Sequence, residues 1–415
     1  MKLKKQKHSK KDVPTKFFYI WNYLEWGGAQ TYFFGLMKEA RKYGEVLVIM
    51  PTGSHSQLLN FLDNLEIPYQ FFDAHTDLKP ALNLKRKFQR HWNKLKCEYI
   101  LYRYLTKFDF KNSIVHIELA PWQSMTFLGW LCTKTKVFTT VHNSILPIPT
   151  FRYLLWKAKF RILSSFKDFH IFTANQDAKD SLRKLVSDEY FERITVVPAY
   201  INPVEVEETL TTPINRAEIR EKYLLPSDKF LVFCVGQFID RKGRWLFLEA
   251  AQKLLKDNDD MAFVWISNSK PNHADLEKVK TYNLGEKFIF ITSDQVGDEH
   301  IELFKLLRIA DIFALPSYLE GLPISLLEAM ALGIPCISTN INGIPEAVKH
   351  LETGYLIEAG NAETLVEAIK TLKDDKALRE KLAKNGREFV LANFNEKIVA
   401  KIALEKYFEA FIVKE

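Results

Sequence analysis

The sequence predicts an α/β protein made of two doubly wound domains, each with a parallel sheet covered by helices. The chain has 415 residues, more than one ordinary hydrophobic core accommodates. Short β-rich runs alternate with longer helical stretches, as parallel sheets require. The alternation is interrupted once by a passage containing Pro and Thr, over residues 204–229, and then restarts. We therefore expect a domain connection in that passage.

The predicted strands occur in two series. In the first half they cover residues 17–24, 45–50, 69–72, 113–118, 136–142, 169–174 and 194–199. In the second half they cover residues 230–236, 261–267, 287–292, 311–316 and 334–339. Residues from about 377 onward are predicted to be mostly helical. Ligands of doubly wound sheets bind outside the carboxyl ends of the strands, so the residues just after each strand are the candidates for chemistry.

Composition excludes several classes of protein. The four cysteines contain no Cys-x-x-Cys pair, which argues against a zinc site and a disulfide framework and favours a reducing compartment. The apolar run after the basic N-terminus is only five residues long, too short for a signal peptide. The most apolar window, residues 119–132, is shorter than a spanning helix and contains Pro121 and Gln123. We expect a cytosolic protein without a membrane-spanning segment.

Positive charge is concentrated in the first half of the chain. Residues 1–200 hold 31 Lys and Arg against 17 Asp and Glu, a net charge of +14. The whole chain has a net charge of +7, so residues 201–415 have a net charge of −7. Six lysines lie within residues 2–11. Seven basic residues within 79–96 and five within 152–167 are accompanied by no acid. The last two runs also contain aromatic residues, namely Phe88, Trp92, Tyr153, Trp156 and Phe160.

Basic and aromatic residues on one helix are typical of a surface that docks on anionic lipid headgroups. We therefore predict an anionic membrane surface as a partner. The alternative is a pair of solvated helix faces beside a disordered N-terminal tail. Nucleic acid is not expected, because the chain contains no helix-turn-helix, zinc-finger or RNA-recognition signature.

The segment "PSYLEGLPISLLEAMALGIP" places two carboxylates, Glu320 and Glu328, around the start of an apolar helix. Pro323 suits the first helical position and Gly333 ends the helix, so we predict it from Pro323 to about Leu332. Its N-terminus follows a strand, and the backbone N–H groups there form an anion site. We expect Glu328 to bind vicinal hydroxyls such as those of a ribose, and a partner for its charge.

The alternative for Glu328 is a capping box with Ser325, which would start the helix at Leu326.

A second motif, "VGQFIDRKGRW", follows the first strand of the second domain. There Arg241 and Lys242 can neutralise a diphosphate and stabilise charge that develops on a leaving group. The alternative is an ordinary basic turn, although cations at a helix N-terminus oppose the helix dipole.

Two further candidates lie in the first half. The double glycine that includes Gly28 follows the first strand, where backbone can approach a ligand closely. A plain strand-to-helix turn accounts for it equally well. His142 ends a strand and is a candidate for direct contact with substrate, whereas His116 lies mid-strand and is predicted to be a core residue. No metal-ligand spacing and no nucleotide P-loop is visible.

With these motifs the chain resembles the glycosyltransferases of family 4, whose GT-B fold consists of two facing Rossmann-like domains. The resemblance is strongest over residues 230–369, in "VGQFIDRKG", in the paired glutamates of residues 310–348 with their Gly-Ile-Pro-Glu turn, and in "HLETGYLIEAGNAETLVEAI". It implies a first domain over residues 1–203 that binds the acceptor, with a basic tail at 1–13. It implies a second domain over 204–393 that binds a nucleotide-diphosphate sugar, and a last helix at about 394–415 that returns to the first domain.

The resemblance also implies roles for single residues. Glu320 would lie against the donor sugar, Glu328 would bind the ribose, and Lys242 with a basic neighbour would hold the diphosphate. The main chain of Gly321, Leu322, Pro323 and Ile324 would bind phosphate or sugar. Gly28 would approach the diphosphate from the other domain, and His142 would contact the sugar at the reacting centre.

The implied function is retaining, metal-independent transfer of a sugar from a nucleotide-diphosphate sugar, the donor substrate, with no cofactor. The basic and aromatic runs indicate a lipid-linked acceptor in cell-surface polysaccharide or lipopolysaccharide synthesis, with the enzyme peripheral at the inner face of the membrane. Gln237 stands where the family has an arginine, and Arg241 can supply that charge.

Two other functions stay open: a GT-B phosphorylase or sugar-nucleotide epimerase, and a non-catalytic scaffold that binds a sugar nucleotide or membrane.

Overall fold

The computed structural model describes residues 14–24, 27–76, 83–118, 123–145, 149–257, 260–268, 270–297 and 299–412. The predicted basic tail at 1–13 and the start of the basic run at 79–96 lie outside the described residues. The chain divides into two compact units. The first unit contains the residues up to Pro198 and those from Lys397 onward, and the second unit is Ala199–Glu396.

The first unit contains a seven-stranded sheet. Its strands are β1 (Lys16–Ile20), β2 (Glu45–Pro51), β3 (Tyr69–Phe72), β4 (Ser113–Ile117), β5 (Lys136–Val141), β6 (Phe169–Thr173) and β7 (Thr195–Val196). Its helices before the second unit are α1 (Gly28–Ala40), α2 (Ser56–Asn64), α3 (Leu84–Leu105), α4 (Met125–Cys132), α5 (Thr150–Ser165), α6 (Gln176–Leu182) and α7 (Asp188–Arg193). All strand pairs are parallel, in the order β3-β2-β1-β4-β5-β6-β7.

The second unit contains a six-stranded parallel sheet in the order β10-β9-β8-β11-β12-β13. Its strands are β8 (Phe230–Val235), β9 (Met261–Ser267), β10 (Phe288–Thr292), β11 (Ile312–Leu315), β12 (Cys336–Thr339) and β13 (Tyr355–Ile357). Its helices are α8 (Pro203–Thr211), α9 (Arg216–Lys222), α10 (Arg244–Asp257), α11 (His273–Lys280), α12 (Ser293–Val296), α13 (His300–Leu307), α14 (Ile324–Ala331), α15 (Ile344–Ala347), α16 (Ala362–Asp374) and α17 (Lys376–Asn393).

The last helix, α18 (Glu396–Glu409), packs within the first unit. Its Tyr407 is fully buried and stacks on Phe172 with ring centroids 5.8 Å apart. The hydroxyl of Tyr407 meets Nδ1 of His116, whose Nε2 lies 2.9 Å from Thr140 Oγ1. His116 is therefore a hydrogen-bonded core residue, as the sequence predicted.

Both sheets have the strand order of a Rossmann fold, with the order reversing beside the first strand of each unit. This confirms the prediction of an α/β protein with two parallel, doubly wound sheets. The prediction missed β13 and extended β1 four residues too far, because β1 ends at Ile20. The passage predicted as a connection contains helix α9 and all but the first residue of α8. Asn202 caps α8 and Pro203 occupies its first turn, a helix start that the Pro-rich composition concealed.

Candidate active site

The two motifs of the second unit follow neighbouring strands at the reversal of strand order. Arg241 and Lys242 follow β8, Glu320 follows β11, and β8 pairs directly with β11. The carboxyl ends of parallel strands meet at one edge of the sheet, so the sheet itself brings these residues together.

A tight turn between β8 and α10 carries Arg241 and Lys242. Asp240–Lys242 form one turn of 3-10 helix, which ends at Gly243 with φ of 74°. A Cβ at Gly243 would lie 1.9 Å from the carbonyl oxygen of Pro316, so only glycine fits this close contact with the end of β11. The carbonyl of Arg241 also accepts a hydrogen bond of 2.8 Å from Tyr318 N. Close packing and a hydrogen bond thus hold the basic turn against the segment that carries Glu320.

Lys242 and Glu320 form an ion pair at this edge. Lys242 Nζ lies 2.6 Å from Glu320 Oε1, and the two side chains are 12% and 5% exposed. Ser317 Oγ donates to the same carboxylate oxygen over 2.7 Å. Arg241 Nη1 lies 3.4 Å from Glu320 Oε2 and donates to the carbonyl of Leu319 over 2.9 Å. Two cations therefore face one carboxylate, which leaves a net positive charge beside the carboxyl ends of β8 and β11.

Helix α14 begins beside this ion pair. Residues 321–323 lead into it, Pro323 is the residue before the first helical turn, and Ile324 is the first helical residue. No side chain within the described part of the chain caps this end of α14. Ser325 Oγ donates to the carbonyl of Val235 over 3.1 Å, which ties the helix start to the end of β8. The predicted start was one residue early.

Glu328 lies on α14 with 6% of its surface exposed. Its Oε1 is 3.1 Å from Nε2 of His300, the first residue of α13. The capping-box alternative was wrong, because α14 begins at Ile324 and the Ser325 hydroxyl bonds to Val235. The predicted partner of the Glu328 charge exists, but sequence reasoning missed that it is His300, since nothing in the motif points to a residue 28 positions earlier.

In the first unit, His142 directly follows β5 and approaches Glu118, which directly follows β4. His142 Nε2 is 3.6 Å from Glu118 Oε1, beyond hydrogen-bond length, and the Glu118 Oε2 atom is buried without a hydrogen-bond partner in the described chain. Burial raises the pKa of Glu118 to about 8 and lowers the pKa of His142 to about 4. A neutral carboxyl therefore faces a neutral imidazole near pH 7.

Glu118 was also missed, although its position just after a strand was a usable signal. Gly28 is the first residue of α1, and the neighbouring Gly27 N–H donates to Gln30 Oε1 over 3.0 Å. A Cβ at Gly27 would meet no atom within 4 Å, so packing inside the described chain does not explain a glycine there. The roles predicted for Gly28 and His142 stay predictions.

Three further properties concern metals, cysteines and membranes. Among the residues described, no group of three or more His, Cys, Asp or Glu side chains is arranged to hold a metal ion. Cys97, Cys132, Cys234 and Cys336 are free thiols. None of the described helices has the length and apolar character needed to cross a bilayer.

Known proteins share this fold. A glycosyltransferase from Rickettsia africae superposes with a TM-score of 0.75 at 20% identity, covering 96% of this chain and 99% of that one. The Anabaena protein HepE, solved with UDP and glucose, superposes with a TM-score of 0.73 at 14% identity, covering 94% and 98%. The two Rossmann-like domains therefore form a GT-B fold, as predicted.

Comparisons of sequence point to the same class of protein as the comparisons of structure. Residues 215–389 match the family model described as glycosyl transferases group 1. A Campylobacter jejuni relative, N,N'-diacetylbacillosaminyl-diphospho-undecaprenol alpha-1,3-N-acetylgalactosaminyltransferase, is 29% identical over 93% of this chain and 97% of its own length. UDP-Gal:alpha-D-GlcNAc-diphosphoundecaprenol alpha-1,3-galactosyltransferase of Escherichia coli is 30% identical over 53% of this chain, and the match spans 55% of that relative. Residues 215–389 therefore belong to this group of glycosyltransferases, in agreement with the family predicted from the motifs.

Proposed function

We propose that the protein transfers a sugar, with retention of anomeric configuration, from a nucleotide-diphosphate sugar to a hydroxyl of a lipid-linked glycan, without a metal ion. The observation that carries the proposal is the 2.6 Å contact between Lys242 and Glu320, beside Arg241 and the start of α14. Positive side chains and the uncapped N-terminus of α14 lie together where a diphosphate leaving group would need them.

The proposed reaction exchanges one bond for another at the anomeric carbon. The bond from this carbon to the diphosphate oxygen breaks, and the acceptor oxygen bonds to the same face. Lys242 and Arg241 stabilise the negative charge that develops on the departing diphosphate, together with the backbone N–H groups of Gly321, Leu322 and Ile324. The departing phosphate oxygen takes the proton of the acceptor hydroxyl, so no protein base is needed, and attack on the same face needs no protein nucleophile.

Glu320 and Glu328 hold the two ends of the donor in this proposal. Lys242 has three N–H donors, so it can keep Glu320 as a partner while it binds phosphate oxygens. That pairing keeps the Glu320 carboxylate oriented to accept hydrogen bonds from the sugar. Glu328 accepts hydrogen bonds from the ribose hydroxyls, which suits a carboxylate with two oxygens.

The acceptor is inferred from two kinds of observation. The Campylobacter and Escherichia relatives are named as enzymes that act on sugar-diphosphoundecaprenol acceptors. In this chain, α3 exposes Phe88, Trp92 and Tyr99, with 73%, 64% and 62% of their surfaces accessible. These three residues and Leu95 recur at helical spacing along one stripe of α3. We infer that the acceptor is held by a polyprenyl-type lipid and that the protein works at the inner face of a membrane.

Helix α5 carries a second exposed apolar stripe, formed by Phe151, Leu154, Leu155 and Ile162. Basic residues of α3 and α5 flank both stripes, an arrangement typical of helices that lie in an anionic lipid interface. The prediction that Phe160 belongs to this aromatic surface was wrong, because Phe160 is 1% exposed and lies in the core of the first unit.

Vesicle sedimentation tests the membrane proposal. We expect the wild type to bind vesicles that contain phosphatidylglycerol, and to bind less as salt rises to ~0.5 M because the charges are screened. Phe88→Ser combined with Trp92→Ser should weaken partitioning about tenfold, because two exposed aromatic side chains no longer enter the interface. Leu276→Ser, at an exposed apolar residue of the second unit, is the control and should change nothing. Wild-type binding to neutral and anionic vesicles alike, or none at low salt, would contradict the proposal.

Product analysis tests the reaction. With a nucleotide sugar and a sugar-diphosphate lipid, we expect a new glycosidic bond of the donor's anomeric configuration, equal release of nucleoside diphosphate, and no loss of rate with EDTA. Product formed with free phosphate would instead indicate a phosphorylase, and an altered sugar nucleotide without acceptor would indicate an epimerase. A protein that binds the donor but neither transfers nor slowly hydrolyses it would be a scaffold.

A further inference from the structure

The side chain of His300 lies between two carboxylates that come from different helices. Its Nε2 is 3.1 Å from Glu328 Oε1 on α14, and its Nδ1 is 2.9 Å from Glu205 Oε2 on α8. Each ring nitrogen therefore faces a carboxylate oxygen. Both nitrogens can donate only when the imidazole is protonated, so two carboxylates at these distances favour the imidazolium form.

The surroundings of His300 favour that charged form. Burial lowers the pKa of His300, but the charge of Glu328 and the hydrogen bonds and charge of Glu205 outweigh it and raise the pKa to about 10. The Phe304 ring packs 4.4 Å from the imidazole, centroid to centroid, and limits its rotation. The result is a fixed cation between two acids.

The outer carboxylate is itself held in place. Asn202 Nδ2 donates to Glu205 Oε1 over 2.8 Å, and Asn202 caps the helix α8 that carries Glu205. The chain of contacts runs from the start of α8 through His300 to α14, entirely within the second unit. Glu328 is therefore positioned by residues that lie far from it in sequence.

We propose that His300 is a positioning residue for the donor: it holds the Glu328 carboxylate in the orientation in which it accepts hydrogen bonds from the ribose hydroxyls. The inference rests on the proposed function, in which Glu328 binds ribose. His300 does not touch the donor in this account. It occupies one lone-pair direction of Glu328 Oε1 and leaves the remaining acceptor positions of the carboxylate for the two hydroxyls.

Removing the cation would change Glu328 in a predictable way. Without the imidazolium, two buried carboxylates face each other with no cation between them, and their repulsion favours a rotated Glu328 side chain. A rotated Glu328 is a poorer acceptor, so the donor's ribose hydroxyls contribute much less to binding while the diphosphate contacts stay intact.

The test compares nucleotides with and without ribose hydroxyls. Calorimetric titration gives the dissociation constants of UDP and 2′,3′-dideoxyUDP, and of GDP and its dideoxy analogue, and the ratio within each pair isolates the ribose contact. For whichever base binds the wild type, we expect the dideoxy form to bind at least about tenfold more weakly, because hydrogen bonds to a charged acceptor are strong. His300→Gln should lower this ratio to about twofold or less, as Glu328→Gln should.

A second substitution separates positioning from a general structural effect. In His300→Gln, the amide oxygen of the new side chain faces the Glu205 carboxylate. When Glu205→Gln is added, the amide N–H of residue 205 can donate to the amide oxygen of residue 300. The amide N–H of residue 300 can then donate to Glu328. We expect the double variant to regain most of the ratio. His273→Ala, at an exposed histidine of α11, is the matched control and should leave the ratio unchanged.

The outcomes are distinct. A wild-type ratio near one, or no nucleotide binding, would overturn the proposed ribose contact and this inference with it. A normal wild-type ratio that His300→Gln leaves unchanged, or a loss of affinity equal for both nucleotides of a pair, would overturn the role of His300 alone. Thermal unfolding of each variant verifies that it is folded.

Discussion

The ion pair between Lys242 and Glu320 has two roles in this account, and a double substitution separates them. In the absence of donor it neutralises a buried carboxylate, and during transfer Lys242 stabilises the leaving diphosphate. The perturbation is Lys242→Met, which keeps most of the aliphatic stem but removes the charge. Its companion is Glu320→Gln, which keeps the shape of the side chain and its ability to accept from Ser317.

The stability effect follows from the contacts. Removing one partner of a buried ion pair costs about 3–5 kcal/mol, because the other charge stays uncompensated. Glu320 keeps the Ser317 hydroxyl at 2.7 Å and Arg241 at 3.4 Å, so we expect a smaller loss of about 2 kcal/mol. The double variant should regain most of this loss, because no buried carboxylate is left without its lysine and the remaining cation, Arg241, is 37% exposed. Lys253→Met, whose partners Glu249 and Glu363 are exposed, is the control and should cost under about 1 kcal/mol.

Activity should behave differently from stability. Lys242→Met should lower the transfer rate at saturating donor by about a hundredfold or more, the usual effect of removing one group that stabilises developing charge. The double variant should stay equally slow although its stability returns. Urea denaturation measures the first quantity and release of nucleoside diphosphate the second. Recovery of transfer in the double variant, or near-normal transfer in Lys242→Met, would refute the leaving-group role.

Two other predictions concern single residues in different units. Gly243→Ala should destabilise the protein by about 3 kcal/mol or more in urea denaturation, because φ is 74° and the new Cβ would meet the Pro316 carbonyl oxygen; an ordinary alanine effect below about 1 kcal/mol would contradict this. Glu118 has a pKa raised from 4.5 to about 8 by burial, so the wild type should lose stability as pH rises through that interval. Glu118→Gln should therefore stabilise the protein by roughly 3 kcal/mol more at about pH 8 than at about pH 5. An equal effect at both pH values, measured in urea, would show that Glu118 is ionised in the folded state.

The fold was largely readable from the sequence because parallel strands buried on both faces are continuous apolar runs. "MAFVWIS" is such a run, and β9 has its predicted bounds, residues 261–267. The short edge strand β13 was missed, since Tyr355–Ile357 is only three residues long and two of the three are partly exposed. Helix α8 was missed for another reason: Pro203 reads as a breaker unless the Asn202 cap before it is recognised.

The candidate site was readable only where its residues belong to one motif. The turn with Arg241 and Lys242 and the segment with Glu320 each follow a predicted strand, and strand order alone brings them together. Contacts between separate segments are different, because no local pattern encodes them. His300 and Glu205 meet Glu328 through the packing of α13 and α8 on α14, and Glu118 meets His142 only through the pairing of β4 with β5.

The central claim is that Lys242, with Arg241 and the start of α14, holds the diphosphate of the donor. Calorimetric titration of the wild type and Lys242→Met with UDP against UMP, and with GDP against GMP, measures it most directly. We expect the diphosphate to bind the wild type at least about tenfold more tightly than the monophosphate, since a second phosphate gains charge-assisted hydrogen bonds. Lys242→Met should lose most of that preference. An unchanged preference in Lys242→Met would contradict the account.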